Sequence, residues 1–221
     1  DLTDMKDCVE REYAGPIYTT NTTQQRIYYV SMLREPIQRY ISEWMHFRRG
    51  TSWRWPALTR GQACTNAHFD KCIGKNAILW RDVSLDEFLA CDHNLAHNRQ
   101  ARMLALFDST FDACSYLSNR TAETDSALLE RAVQGLHFLA FFGLVEYQNY
   151  SQLLFQKTFN GSFRFESHAQ QANSRFASEA TIKSLNSTYI NQIRSLNSLD
   201  IQLYAYAKRL FFARLAFFNI I

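Results

Sequence analysis

The chain has 221 residues, 47% of them hydrophobic, with a formal charge of +3 and an isoelectric point near 8.6. That length and apolar content suffice for one sizeable core, so a single domain over residues 1–221 is expected. The mild basicity suits a polyanionic partner but falls far below that of a dedicated nucleic-acid binder. No window approaches the ~18 consecutive apolar residues of a spanning helix, and Asp1-Leu2-Thr3-Asp4 has no signal-peptide architecture.

Residues 26–33 form a near-continuous apolar and aromatic run, as in a central parallel strand covered on both faces. Arg34-Glu35-Pro36 ends it, and Pro at the first helical position opens a helix to about Phe47, with Ile37, Tyr40, Ile41 and Trp44 on one stripe. Over residues 48–82 the periodicity fails, and Trp53, Trp55 and Trp80 with Cys64 and Cys72 point to an ordered irregular insertion. Ser84 with Glu87 three residues on marks a capping-box helix start, and residues 98–106 continue helical. Thr124 is placed as the cap of a helix over 125–136, with Leu128, Leu129, Ala132 and Val133 inward. Residues 137–144 read as a second buried strand, 146–159 as a further helix, and 198–218 as the last. This order predicts an α/β domain with a mainly parallel central sheet flanked by helices.

Five acceptor triplets for N-glycosylation, at Asn21, Asn119, Asn149, Asn160 and Asn186, favour a secretory-pathway protein, because about one or two would arise by chance. Cysteine use points the same way. Cys64, Cys72, Cys91 and Cys114 lie close enough in sequence to form two internal disulfides, and Cys8 is expected to pair upstream or to remain a buried thiol. Zinc-ligand spacing is absent from the sequence, and no metal site is predicted.

The stretch with the most chemistry is Leu33-Arg34-Glu35-Pro36-Ile37-Gln38-Arg39-Tyr40-Ile41-Ser42-Glu43-Trp44, which puts Arg34 at the carboxyl end of a strand and Ser42 about two turns into the next helix. A guanidinium fork and a hydroxyl near a helix N-terminus suit a phosphomonoester. Taken alone, Arg34 is as readily explained by an ion pair with Glu43 or an aspartate.

The whole stretch resembles the 3′-phosphate-binding motif of sulfotransferases that use 3′-phosphoadenosine 5′-phosphosulfate. Residues 40–53, 94–104, 140–146 and 200–208 resemble the heparan sulfate 6-O-sulfotransferase family in particular. The resemblance implies a P-loop-like sulfotransferase fold in which Arg34 and Ser42 hold the nucleotide's 3′-phosphate. It implies a second nucleotide contact in a loop carrying Ala169, Gln170, Gln171, Arg175 and Phe176, although Ser174 and Phe176 depart from the family's usual residues. His46 and Trp53 are the implied saccharide contacts, since an indole face packs on a sugar ring and an imidazole bonds a hydroxyl or sulfate.

The implied partner is heparan sulfate, and the implied co-substrate is the phosphosulfate nucleotide, without a metal. The implied setting is the Golgi lumen, as part of a single-pass type II membrane protein whose anchor lies in the full-length chain. The loop for the 5′-phosphosulfate and the histidine base are expected upstream of Asp1, so no catalytic residue is assigned here and the chain alone is expected to turn over little or nothing. Two alternatives stay open: a 2-O type sulfotransferase acting on uronic acid, and a non-catalytic glycan-binding module with the same fold.

Overall fold

A computed structural model describes residues 28–50, 58–59, 62–63, 80–92, 94–105, 120–161 and 169–221, with the backbone alone described at 58–59, 62–63 and 169–176. The described strands are β1 (Val30–Leu33), β2 (Leu58–Thr59), β3 (Gln62–Ala63) and β4 (Phe141–Leu144). The described α-helices are α1 (Pro36–Arg48), α2 (Leu85–Ala90), α3 (Arg99–Ala105), α4 (Ala122–Phe138), α5 (Gln148–Phe159), α6 (Ala169–Ser184), α7 (Ser187–Leu196) and α8 (Ser198–Phe217).

β1 and β4 pair in parallel, from Val30 opposite Phe141 to Leu33 opposite Leu144. Helices packed around this small sheet make the fold the α/β arrangement predicted from the element order. The four residues of β4 are all buried, but β1 leaves Val30 50% and Met32 41% exposed. Full coverage therefore holds for β4 and fails for β1. Strand side chains alternate between faces, and Leu33 turns to the core while Val30 and Met32 turn away. β2 and β3 form a short antiparallel hairpin inside the irregular segment.

Local signals place the starts of α1 and α2. Pro36 opens α1, and Glu35 caps it by accepting the Gln38 N–H at 2.8 Å. Ser84 and Glu87 form the expected box at α2.

Four boundaries differ from expectation. The cap of α4 is Thr121, whose hydroxyl accepts the Thr124 N–H at 3.2 Å while the Thr124 hydroxyl accepts the Thr121 N–H at 2.8 Å, so Thr124 is the inner member of the box. α4 also runs on to Phe138, because the Leu128, Ala132, Leu136 spacing keeps its buried stripe going, and the second strand begins only at Phe141. A 3-10 turn, Val145–Tyr147, precedes α5. Residues 169–176, expected as a loop, lie in α6, a stretch without Gly or Pro and rich in good helix formers. α7 and most of α6 lie in a region for which the sequence reading assigned no element.

Among the described residues two hydrophobic clusters form the core. One joins the sheet to α3, α4, α5 and α8 through Leu33, Leu104, Leu128, Phe142, Leu154 and Phe211. The other joins α1 and α2 to Trp80 and to Ile193 of α7.

Buried polar groups tie α1, α3 and α8 together. Asn98, in the left-handed region at φ 47°, accepts the Leu199 and Asp200 N–H groups at the start of α8, at 3.0 and 3.3 Å. Asp200 in turn accepts the Gln100 and Ala101 N–H groups at the start of α3, at 3.2 and 2.8 Å. Each helix is thus capped by a residue beside the other's first turn, which satisfies donors the helices cannot satisfy themselves. Arg39 of α1 spans the same region, pairing with Glu43 and donating to the Ala96 carbonyl at 2.6 Å and the Asn197 side chain at 2.8 Å. Its Nε lies 3.4 Å from Asp200.

Cys91 is disulfide-bonded. Cys8, Cys64, Cys72 and Cys114 lie outside the described residues, so the expected connectivity is not described beyond Cys91. Among the described residues no helix is long and apolar enough to cross a membrane.

Candidate functional site

Arg34 follows the last residue of β1 and precedes α1, at the carboxyl end of a parallel strand where ligands of α/β sheets bind. Its backbone is held from a distance. The Gln100 side-chain amide accepts the Arg34 N–H at 2.8 Å and donates to the Arg34 carbonyl at 2.9 Å. The next N–H, of Glu35, donates to Glu146 at 2.9 Å, and the other oxygen of Glu146 accepts the Tyr204 hydroxyl at 2.6 Å. Burial first, then the Glu146 carboxylate, push the Tyr204 hydroxyl well above the usual phenol range, so it stays protonated as the donor.

The Arg34 guanidinium reaches α6, where it donates to the buried Ser178 hydroxyl at 2.8 Å. Ser178 lies two residues beyond Phe176 on the helix that carries the second predicted nucleotide segment. Gln38, Ser42 and Met45 fall on one face of α1 by their spacing, and the Thr181 hydroxyl of α6 donates to the Met45 sulfur at 3.7 Å. The structure therefore brings Arg34, the Ser42 face of α1 and the helix of residues 169–176 to one place, with the side chains of 169–176 outside the described residues. Beside them α1, α6 and α7 enclose a cleft of about 340 Å³ lined by Glu35, Gln38, Glu179, Lys183 and Arg194 among others.

The role expected of the α1 N-terminus changes. Its Gln38 N–H is taken by the Glu35 carboxylate, so an anion at this corner would be met by the Arg34 fork and hydroxyls rather than by that amide.

His46 is exposed on the last turn of α1, and Trp53 lies outside the described residues. The exposed Arg48 and Arg49 follow His46 in the chain, the exposed Arg81 lies against Gly50, and the Arg48 guanidinium sits 4.9 Å from the Trp44 ring centroid. Asn149, Asn160 and Asn186 are exposed on α5, at its left-handed C-cap and at the N-cap of α7 respectively, while Asn21 and Asn119 lie outside the described residues. No group of metal-binding side chains occurs among the described residues. Gln100, Glu146 and Asp200 lie inside the stretches 94–104, 140–146 and 200–208 that carry the family resemblance, but nothing local marks their roles there, and Ser178 lies in no such stretch.

A strand-end arginine, a helical hydroxyl two turns on and a polar helix packed against α1 make up an α/β domain whose corner has the chemistry to suit an oxyanion. The chain matches the Sulfotransferase family over residues 7–207, and it belongs to that family. It is 39% identical over 214 residues to heparan-sulfate 6-O-sulfotransferase 3 of Mus musculus, covering 96% of this chain and 44% of that protein. It is 37% identical over 219 residues to heparan-sulfate 6-O-sulfotransferase 2 of Homo sapiens, covering 98% and 35%. With heparan-sulfate 6-O-sulfotransferase 1 of Homo sapiens the identity is 37% over 213 residues, covering 96% and 50%. The chain thus spans half or less of the length of these curated relatives.

Proposed function

We propose that the protein transfers a sulfuryl group from 3′-phosphoadenosine 5′-phosphosulfate to the 6-hydroxyl of glucosamine units in heparan sulfate. The observation that carries this reading is Arg34, pinned by Gln100 at the end of β1 with its guanidinium against α6. A planar fork of this kind suits a phosphomonoester, and the neighbouring hydroxyls can accept or donate as the phosphate requires. The nucleotide supplies the activated sulfuryl group, and Arg34, Ser42 and the segment with Ala169, Gln170, Gln171, Arg175 and Phe176 hold it without moving a proton. The exposed Arg48 and Arg49 next to His46 in the chain suit the polyanionic acceptor, to which Trp53 would add a ring face. The Cys91 disulfide and the exposed sequons support maturation in the secretory pathway, consistent with the Golgi lumen.

Calorimetry with adenosine 3′,5′-bisphosphate on the full-length protein tests the donor site. Losing a charge-assisted fork should weaken binding about ten- to a hundredfold in Arg34→Ala, and Arg34→Lys should not restore it fully. His46→Ala and Trp53→Ala should leave that affinity near wild type and raise KM for heparan sulfate. Wild-type nucleotide affinity in Arg34→Ala would refute the donor assignment. A second assay, with labelled donor and disaccharide analysis, locates the new sulfate. Sulfate on the uronic acid 2-hydroxyl would make the protein a 2-O enzyme, and failure to bind the nucleotide at all would make it a glycan-binding module.

A further inference from the structure

Arg34 sits on a corner between strand and helix, where a guanidinium would wander unless the backbone that carries it were fixed. The Arg34 N–H and carbonyl both go to one side chain, Gln100, drawn from α3 and 66 positions away in sequence. A primary amide accepts from a peptide N–H through its oxygen and donates to a peptide carbonyl through its nitrogen at once, which is the pairing a neighbouring strand would make.

Gln100 is itself anchored. Its own N–H donates to Asp200, a carboxylate with no exposed surface, at 3.2 Å, and the adjoining Ala101 N–H donates to the same side chain at 2.8 Å. Asp200 is further fixed by the Arg39 guanidinium and by Asn98, which accepts its N–H at 3.3 Å. A chain of contacts thus runs from the buried polar group at the start of α8, through the first turn of α3, to the peptide of Arg34.

We propose that Gln100 is a positioning residue for Arg34: its amide substitutes for a strand neighbour and sets the direction in which the guanidinium leaves β1, with Asp200 holding the amide in register. In this role Gln100 acts through Arg34 and not on the nucleotide itself. The inference rests on the reading of Arg34 as the nucleotide's phosphate contact.

The test is a double-mutant cycle in the full-length protein, read as affinity for adenosine 3′,5′-bisphosphate, with KM for heparan sulfate and thermal midpoint measured alongside. Gln100→Ala should weaken nucleotide binding about fivefold to tenfold, because it removes both backbone bonds, and should leave the acceptor KM unchanged. In an Arg34→Ala background the same substitution should cost almost nothing further. Equal losses in the two backgrounds, or an unchanged affinity in Gln100→Ala, would overturn the inference while leaving the Arg34 reading intact. If Arg34→Ala itself binds as well as wild type, the functional reading fails instead.

Should Gln100→Ala not fold, Gln100→Glu carries the test. An ionised carboxylate accepts from the Arg34 N–H but faces the Arg34 carbonyl without a proton, whereas a protonated carboxyl mimics the amide on both sides. The ratio of variant to wild-type affinity should therefore rise toward one as pH falls through the carboxyl range, and a ratio independent of pH would overturn the proposal.

Discussion

His97 is a buried imidazole with 6% of its surface exposed, lying 3.3 Å from the Tyr40 hydroxyl with the two rings stacked. Burial, and then the guanidinium groups of Arg102, Arg120 and Arg39, push its pKa from 6.5 down to about 3, so the folded protein keeps it neutral. The unfolded chain takes up a proton near the ordinary value, and the folded chain resists until far lower pH. Stability from this residue is therefore fully present above 6.5 and is lost as pH falls from there toward about 3. Within that window the slope should reach about 1.4 kcal/mol per pH unit. Urea unfolding at several pH values should show that slope in the wild type and a shallower one in His97→Gln, whatever the variant's absolute stability. Identical slopes would mean that His97 is not held neutral.

The contact between β1, β4 and α5 depends on the absence of a side chain at Gly143. A Cβ there would lie 2.6 Å from the Met32 sulfur and 2.9 Å from the Ser151 Cβ and Oγ. Met32 is a flexible, 41% exposed side chain and can move aside. Ser151 has less freedom, because its hydroxyl accepts the Leu144 N–H at 2.9 Å and donates to the Leu144 carbonyl at 3.0 Å, stitching α5 to β4. Gly143→Ala should cost about 1–3 kcal/mol by overpacking. Adding Met32→Ala should recover only the part owed to the sulfur. Denaturation midpoints of the two variants check this, and complete recovery in the double variant would show that Ser151 yields freely.

For the molecule as a whole, at least two of the five sequons should carry glycans when the protein passes through a secretory pathway, seen as a mass loss on glycosidase treatment. An unchanged mass would count against that route. Asn186 allows a sharper version. Its side-chain oxygen accepts the Tyr189 N–H at 3.0 Å and caps α7, whereas a glycan attaches through the amide nitrogen, so the two roles are compatible. Thr188→Ala destroys the triplet and keeps the cap, and it should remove the Asn186 glycan with little change in folding stability. Asn186→Ala should remove the glycan and also cost about 1 kcal/mol.

The sequence by itself determined what short-range chemistry controls. Pro36 and the Ser84–Glu87 box act across three or four residues, so the starts of α1 and α2 were legible, as was the position of Arg34 at a strand end. Even this logic misplaced the α4 cap, because Thr121 and Thr124 can each play either part and only the helix direction separates them. Alternation could not reveal that one face of β1 is open, since that depends on which elements pack against it. Only the tertiary structure decided what holds Arg34: Gln100 and Ser178 lie 66 and 144 positions away. No local propensity favours those pairs. They exist because packing of α3 against α4 and α8, and of α6 against α1, brings buried donors and acceptors within bonding distance, where leaving them unpaired would cost more than ordering them.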